Sequence, residues 1–150
     1  MWQLGDSAMI EPPDAALLYR GLARSFADAD EATLAEFTLP NGRRADLVAV
    51  DREGLITIVE IKTSRADFQA DHKWPDYVDF CDRFAFAVPA GFPLELLPES
   101  EGMFIADGFG AEPVRPLVQR PLAAARRKAL LLRFARLAAA RLQLLLDPRI

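Results

Sequence analysis

Leu55-Ile56-Thr57-Ile58-Val59-Glu60-Ile61-Lys62 reads as a buried β-strand that runs into two charges at its end. Its apolar, β-branched composition suits a strand covered on both faces, and such a strand has no structural use for Glu60 and Lys62. Strand periodicity puts these two side chains on one face, about 6.5–7 Å apart, while Val59 and Ile61 face the other way.

Upstream, Arg44 to Val50 reads as a second strand, and Asp51-Arg52-Glu53-Gly54 as the turn between the two. A three-residue loop Arg52-Glu53-Gly54, with glycine in the left-handed conformation, pairs Asp51 with Leu55. Counting back in that register sets Asp46 opposite Glu60. A four-residue loop reverses the parity and sends Asp46 to the other face. Carboxylates opposite each other in a sheet repel, so this register calls for something that offsets the repulsion. A bound Mg²⁺ or Mn²⁺ does so through carboxylate oxygens, the main-chain carbonyl of Ile61 and waters, with Lys62 positioning or helping to activate the attacking water. The plainer reading is an exposed strand-end salt bridge of Lys62 with one carboxylate, which contributes little.

Around this hairpin, Pro12-Pro13-Asp14 precedes a first amphipathic helix with apolar positions at 15, 18, 19, 22 and 26. Ala35 to Leu39 reads as a strand closed by Pro40-Asn41-Gly42. Ser64 and Asp67 form a capping-box-like helix start after Thr63, with Asp in place of Glu. That helix breaks at Pro75 and resumes through Tyr77, Val78 and Phe80 to Cys81. Arg83 to Val88 and Met103 to Ala106 read as strands, Pro93 to Leu97 as one helical turn, and Pro121 to Leu146 as a long terminal helix.

The 150 residues suit one domain, 1–150. The single Cys81 excludes an internal disulfide and, with one histidine, His72, leaves no zinc cluster, which fits a reducing cytoplasm. The segment Met1 to Asp6 lacks the pattern of a standard signal peptide, and arginines interrupt the Leu/Ala-rich terminal helix, so neither secretion nor a membrane span is expected. The net charge of −4 conceals a division: residues 1–112 carry 9 Lys/Arg and 21 Asp/Glu, a net of −12, whereas residues 113–150 carry 9 and 1, a net of +8. Two readings stand for the basic end, phosphate contacts beside the site or neutralisation of the acidic body.

An acidic residue on one strand and an (D/E)xK triplet on the next resembles the PD-(D/E)xK nuclease superfamily, with Asp46, Glu60 and Lys62 at the matching positions and Ala45 where a proline often precedes the aspartate. More specifically, Arg43-Arg44-Ala45-Asp46, Val59-Glu60-Ile61-Lys62-Thr63-Ser64, Asp67-Phe68, Asp71, Lys73-Trp74, Tyr77, Cys81-Asp82 and Phe86-Ala87-Val88 resemble the MmcB family of bacterial DNA-repair proteins. The resemblance implies an α/β fold with a restriction-endonuclease-like core, a mixed central sheet flanked by helices. It also implies a metal-dependent DNA nuclease acting in repair, in the cytoplasm, on damaged or branched DNA, with a homodimer or a repair-complex partner as further expectations.

The catalytic candidates are therefore Asp46, Glu60 and Lys62, and the metal candidates are Asp46, Glu60, the Ile61 carbonyl and Glu36. Glu36 substitutes for a further acidic ligand that many superfamily members carry upstream, often on the first helix. Lys73 and Tyr77, four apart and expected on one helix face, are candidates for a phosphate contact and a stacked base, and Arg44 joins them. Asp67 reads as a helix cap, Asp71 as a solvated residue or partner of Lys73, and Trp74, Cys81 and His72 as core, core and surface. The alternative function is a noncatalytic DNA-binding or protein-interaction module on a nuclease scaffold; a third reading is an enzyme acting on another phosphate ester.

Overall fold

A computed structural model describes residues 14–149. The readings of Met1 to Asp6 and of Pro12-Pro13 lie outside the described residues. Six strands form one sheet in chain order: β1 (Ala32–Thr38), β2 (Arg44–Val50), β3 (Ile56–Ile61), β4 (Arg83–Val88), β5 (Gly102–Ala106) and β6 (Ala111–Arg115). Strands β1, β2 and β3 are joined antiparallel, β3–β4 and β4–β5 are parallel, and β6 returns antiparallel. Helices α1 (Ala15–Asp28), α2 (Arg65–Gln69), α3 (Pro75–Val78) and α4 (Ala124–Leu146) flank it, giving the expected mixed α/β sheet covered by helices.

Every residue of β3 is buried, as its continuous apolar run requires of a strand covered on both faces. On one side Leu18, Leu22 and Phe26 of α1 pack on Leu47, Val59, Ala85 and Ala87; each leucine so buried contributes about 1.5–3 kcal/mol. On the other, Phe37, Val48, Ile58, Phe84 and Phe86 lie beneath Leu130 of α4. Gly21 lets α1 come close to the β5–β6 turn, since a Cβ there would sit 1.8 Å from the Asp107 carbonyl oxygen.

The β2–β3 turn takes the three-residue form: Gly54 has φ +83°, and the Asp51 N–H donates to the Leu55 carbonyl at 3.1 Å. The Asp51 carboxylate accepts the amides of Glu53 and Leu55, both at 2.9 Å, which fixes the loop from within. Ser64 caps α2 by accepting the Asp67 N–H at 3.1 Å, and Asp67 reciprocates by accepting the Thr63 N–H at 3.1 Å. Pro75 opens α3 at its first turn, where a missing N–H costs nothing, but α3 ends at Val78 instead of reaching Cys81.

Other elements differ from the sequence reading as well, among them α4, which begins at Ala124 instead of Pro121. Strand β1 begins at Ala32, three residues early. Strand β6 carries no strand signal, because it is short, largely exposed and holds Pro113, a residue tolerated in strands only at an edge.

Helix α4 crosses the sheet and is tied down by its arginines. Arg127 pairs with the buried Asp82, and Arg126 lies 4.7 Å above the Phe80 ring while donating to the Asp79 carbonyl at 2.9 Å. Arg133 donates to the Thr38 carbonyl at 2.9 Å, and Arg141 donates to the carbonyls of Ala35 at 2.6 Å and Glu36 at 3.0 Å. Just before the helix, Arg120 grips the buried Glu101 through two bonds of 2.9 and 2.6 Å. Much of the basic end thus holds or neutralises the body, with Lys128 and Arg136 left exposed. Among the described residues no helix is long and apolar enough to cross a membrane.

Candidate metal-binding active site

The β2–β3 pairs run from Val50↔Ile56 to Leu47↔Val59, and the next position in the same register sets Asp46 opposite Glu60. There the side chains take over from the ladder. The Asp46 N–H donates to Glu60 Oε1 at 3.0 Å, and the Ile61 N–H donates to Asp46 Oδ2 at 2.8 Å. Each carboxylate therefore satisfies an amide on the opposite strand. The pairing of β1 with β2 likewise passes from Ala35↔Leu47 to Phe37↔Ala45, skipping Glu36, whose φ is +49°. In register Glu36 stands beside Asp46, so three acidic residues fall in one row across β1, β2 and β3.

The row is not a three-carboxylate cluster. Glu36 is exposed, its backbone turned into the left-handed region that a side chain disfavours, and it borders a recess of about 220 Å³ with Ala15, Ala16, Tyr19, Asp46 and Ile61. Among the described residues, no group of three or more His, Cys, Asp or Glu side chains is arranged to hold a metal ion.

Glu60 is only 5% exposed, and burial, followed by the charge of Asp46, pushes its carboxyl up to about 9. Burial also raises Asp46, against the opposing pull of the Ile61 amide, the Lys62 charge and a hydrogen bond with Glu60. At neutral pH Glu60 thus favours its protonated form. The charge of Lys62 opposes the rise at both carboxyls without overcoming burial. The donor set fits Mg²⁺ or Mn²⁺, which bind through one or two carboxylates and keep several waters.

The Lys62 ammonium, which acts on both carboxyls through its charge, is itself held by Asp71. Its Nζ lies 2.7 Å from Asp71 Oδ2, with the two side chains 9% and 11% exposed. Burial works against its charge, but the hydrogen bond and charge of Asp71 outweigh it and raise the Lys62 pKa. Asp71 is lowered in turn: burial opposes this, and the Lys62 bond together with the Lys73 amide prevails.

The expected partnership of Asp71 with the Lys73 side chain is corrected by this geometry. Asp71 accepts the Lys73 backbone N–H at 2.7 Å, while its other oxygen holds Lys62. Nor do Lys73 and Tyr77 share a helix face, since α2 ends at Gln69 and Lys73 lies exposed in the linker before α3. Tyr77 is buried, its ring stacked on Phe84 with centroids 6.3 Å apart and its hydroxyl donating to the Arg44 carbonyl at 3.1 Å. Arg44 itself is exposed at the start of β2. Trp74 packs on Phe84 and Phe86, and Cys81 is buried in the core, with burial pushing its thiol up to about 12. His72 is exposed.

The sequence profile described as DNA repair protein MmcB-like matches residues 6–149. Among solved structures, a protein of unknown function from Silicibacter pomeroyi is 45% identical, with a TM-score of 0.87, over 93% of this chain and 94% of that one. No curated protein matches.

Proposed function

The chain belongs to the MmcB-like family of DNA repair proteins, and from that premise we propose that it is a metal-dependent nuclease of the PD-(D/E)xK type, hydrolysing phosphodiester bonds of damaged or branched DNA in the cytoplasm. The observation that carries this reading is the Asp46–Glu60 pair, half-buried and buried respectively, and cross-bonded through backbone amides, with burial raising both carboxyls. Asp46 and Glu60 would hold Mg²⁺ or Mn²⁺, with the Ile61 carbonyl as a further oxygen and Glu36 assisting from the neighbouring strand. When bound, such an ion supplies Lewis-acid polarisation of the phosphate and lowers the pKa of the attacking water.

The remaining roles fall to side chains. Lys62 orients the attacking water and offsets charge gathering on the phosphate. The new P–O bond forms from that water, which gives up a proton to solvent, while the old P–O bond breaks and the departing oxygen takes a proton from solvent. Arg44 and Lys73, both exposed, would meet backbone phosphates. Tyr77 contributes from the core, holding the start of β2 through the Arg44 carbonyl.

Purified protein should cleave some member of a set of linear, flapped, branched and crosslinked DNAs with Mg²⁺ or Mn²⁺, and Glu60→Ala or Lys62→Ala should abolish cleavage. Activity that survives both substitutions removes this mechanism. The exposure of Glu36, which leaves Asp46 and Glu60 without a third acid, favours a second reading, a DNA-binding module that keeps the scaffold without cleavage. It predicts no hydrolysis of any of these substrates together with salt-sensitive binding.

A further inference from the structure

Lys62 and Asp71 are placed by the same neighbouring strand. The Lys62 N–H donates to the Ala87 carbonyl of β4 at 2.9 Å, which fixes the backbone from which the ammonium extends. Asp71 sits in the linker between α2 and α3, and its carboxylate accepts the Lys73 amide at 2.7 Å. The Trp74 ring is seated against Phe84 and Phe86 of β4, with centroids 5.8 and 5.6 Å away. Both ends of the ion pair therefore rest on β4, and the 2.7 Å contact between them is nearly closed to solvent.

A tie that served only to fasten the linker needs no charge. Trp74 already anchors that segment, and Asp76 holds it to the β1–β2 turn through Arg43 at 3.0 Å and Asn41 at 3.1 Å. Asp71 is moreover a further acid whose charge repels that of Glu60. Without Lys62 the arrangement would only add repulsion, and an apolar pair of similar volume would fasten the linker as well or better. We infer that Asp71 is a positioning residue for Lys62, holding its ammonium as a fixed cation at the end of β3, beside the Asp46 and Glu60 carboxylates. A pre-set donor of this kind needs no reorganisation when a phosphate arrives. The catalytic consequence rests on the nuclease reading; the placement of Lys62 does not.

The test reads both separately, on the full chain. Lysine-selective ¹⁵Nζ NMR should show one ammonium protected from exchange, assigned to Lys62 by its loss in Lys62→Met. That signal should vanish in Asp71→Asn and persist in Asp71→Glu. Asp71→Asn should bind Mn²⁺ as the parent does and cleave DNA roughly 10–100-fold more slowly, as loss of a supporting residue typically does, with Asp71→Glu recovering most of the rate. A parent protein with no protected ammonium overturns the inference, whether or not Asp71→Asn folds. So does an Asp71→Asn protein that keeps the signal or the full cleavage rate. Loss of the signal in a protein whose parent cleaves no DNA upholds the placement of Lys62 and removes the nuclease reading instead.

Discussion

Asp46 and Glu60 are bonded into each other's strands: Glu60 Oε1 accepts the Asp46 amide at 3.0 Å, and Asp46 Oδ2 accepts the Ile61 amide at 2.8 Å. Two acids that ordinarily repel are held in contact because each satisfies a main-chain donor that the ladder leaves over. The upward shift of both carboxyls makes the site sensitive to pH and to cations.

Burial first, and then the charge of Asp46, sets Glu60 near 9, against an ordinary value of 4.5. The folded chain therefore keeps a proton that the unfolded chain releases. The stabilising contribution of that proton is complete below about pH 4.5 and is lost as the pH rises through about 9. The upward shift of Asp46 acts in the same direction. The melting temperature without metal should fall by about 5–10 °C between pH 6 and pH 9. Glu60→Gln keeps an acceptor for the Asp46 amide and should flatten that slope. Equal slopes in the two proteins would show that Glu60 is not the group responsible.

Metal binding should displace the same proton. Calorimetry of Mn²⁺ binding at pH 7, in buffers of different ionisation enthalpy, should report release of about one proton per ion. The apparent affinity should rise by about tenfold per pH unit up to about pH 9. Asp46→Asn and Glu60→Gln should show no binding heat, and proton-neutral binding by the parent would place the ion elsewhere.

Glu36 holds a left-handed backbone, φ +49°, that glycine adopts without cost. Glu36→Gly should therefore be more stable than Glu36→Ala by about 1–2 kcal/mol. Denaturant midpoints decide the matter, and the opposite order would mean that the bend is imposed with little strain.

At Gly21 a Cβ meets the Asp107 carbonyl oxygen at 1.8 Å, with the Gly110 carbonyl oxygen at 2.7 Å. Backbone atoms cannot move aside cheaply, so Gly21→Ala should cost about 1–3 kcal/mol or more by overpacking. Urea unfolding that places the variant within 0.5 kcal/mol of the parent, on the order of a surface change, would show that α1 can lift away from the β5–β6 turn.

Asp82 is 1% exposed, accepts the Ile56 amide at 2.8 Å and pairs with Arg127. Asp82→Ala should lose about 3–5 kcal/mol, because it leaves both partners unmatched. Arg136→Ala, at an exposed position on α4, should leave the unfolding midpoint in place. A small loss for Asp82→Ala would show that water replaces the carboxylate.

What could be read in advance was local. Gly54 specifies its own turn, the turn fixes the β2–β3 register, and the register brings Asp46 to Glu60. Ser64 and Asp67 declare a helix start in four residues. The partner of Lys62 was not legible, because it is brought back by two short helices and a linker whose path depends on where Trp74 docks. Lys73 and Tyr77 were misplaced for a related reason: their spacing suits one helix, but the chain leaves α2 at Gln69 and starts again at Pro75. Strand β6 was missed because an exposed strand containing Pro113 has neither the alternation nor the apolar content by which strands are recognised.

The guanidinium groups of Arg133 and Arg141 occupy carbonyls of β1 at Thr38, Ala35 and Glu36, and at the far side of the sheet Pro113 gives β6 a position with no N–H to offer. Both margins are thereby blunted against strand addition, the route by which sheet proteins aggregate or capture extended peptides. Truncating α4 before Arg133 should consequently expose a self-associating edge, even where the core survives.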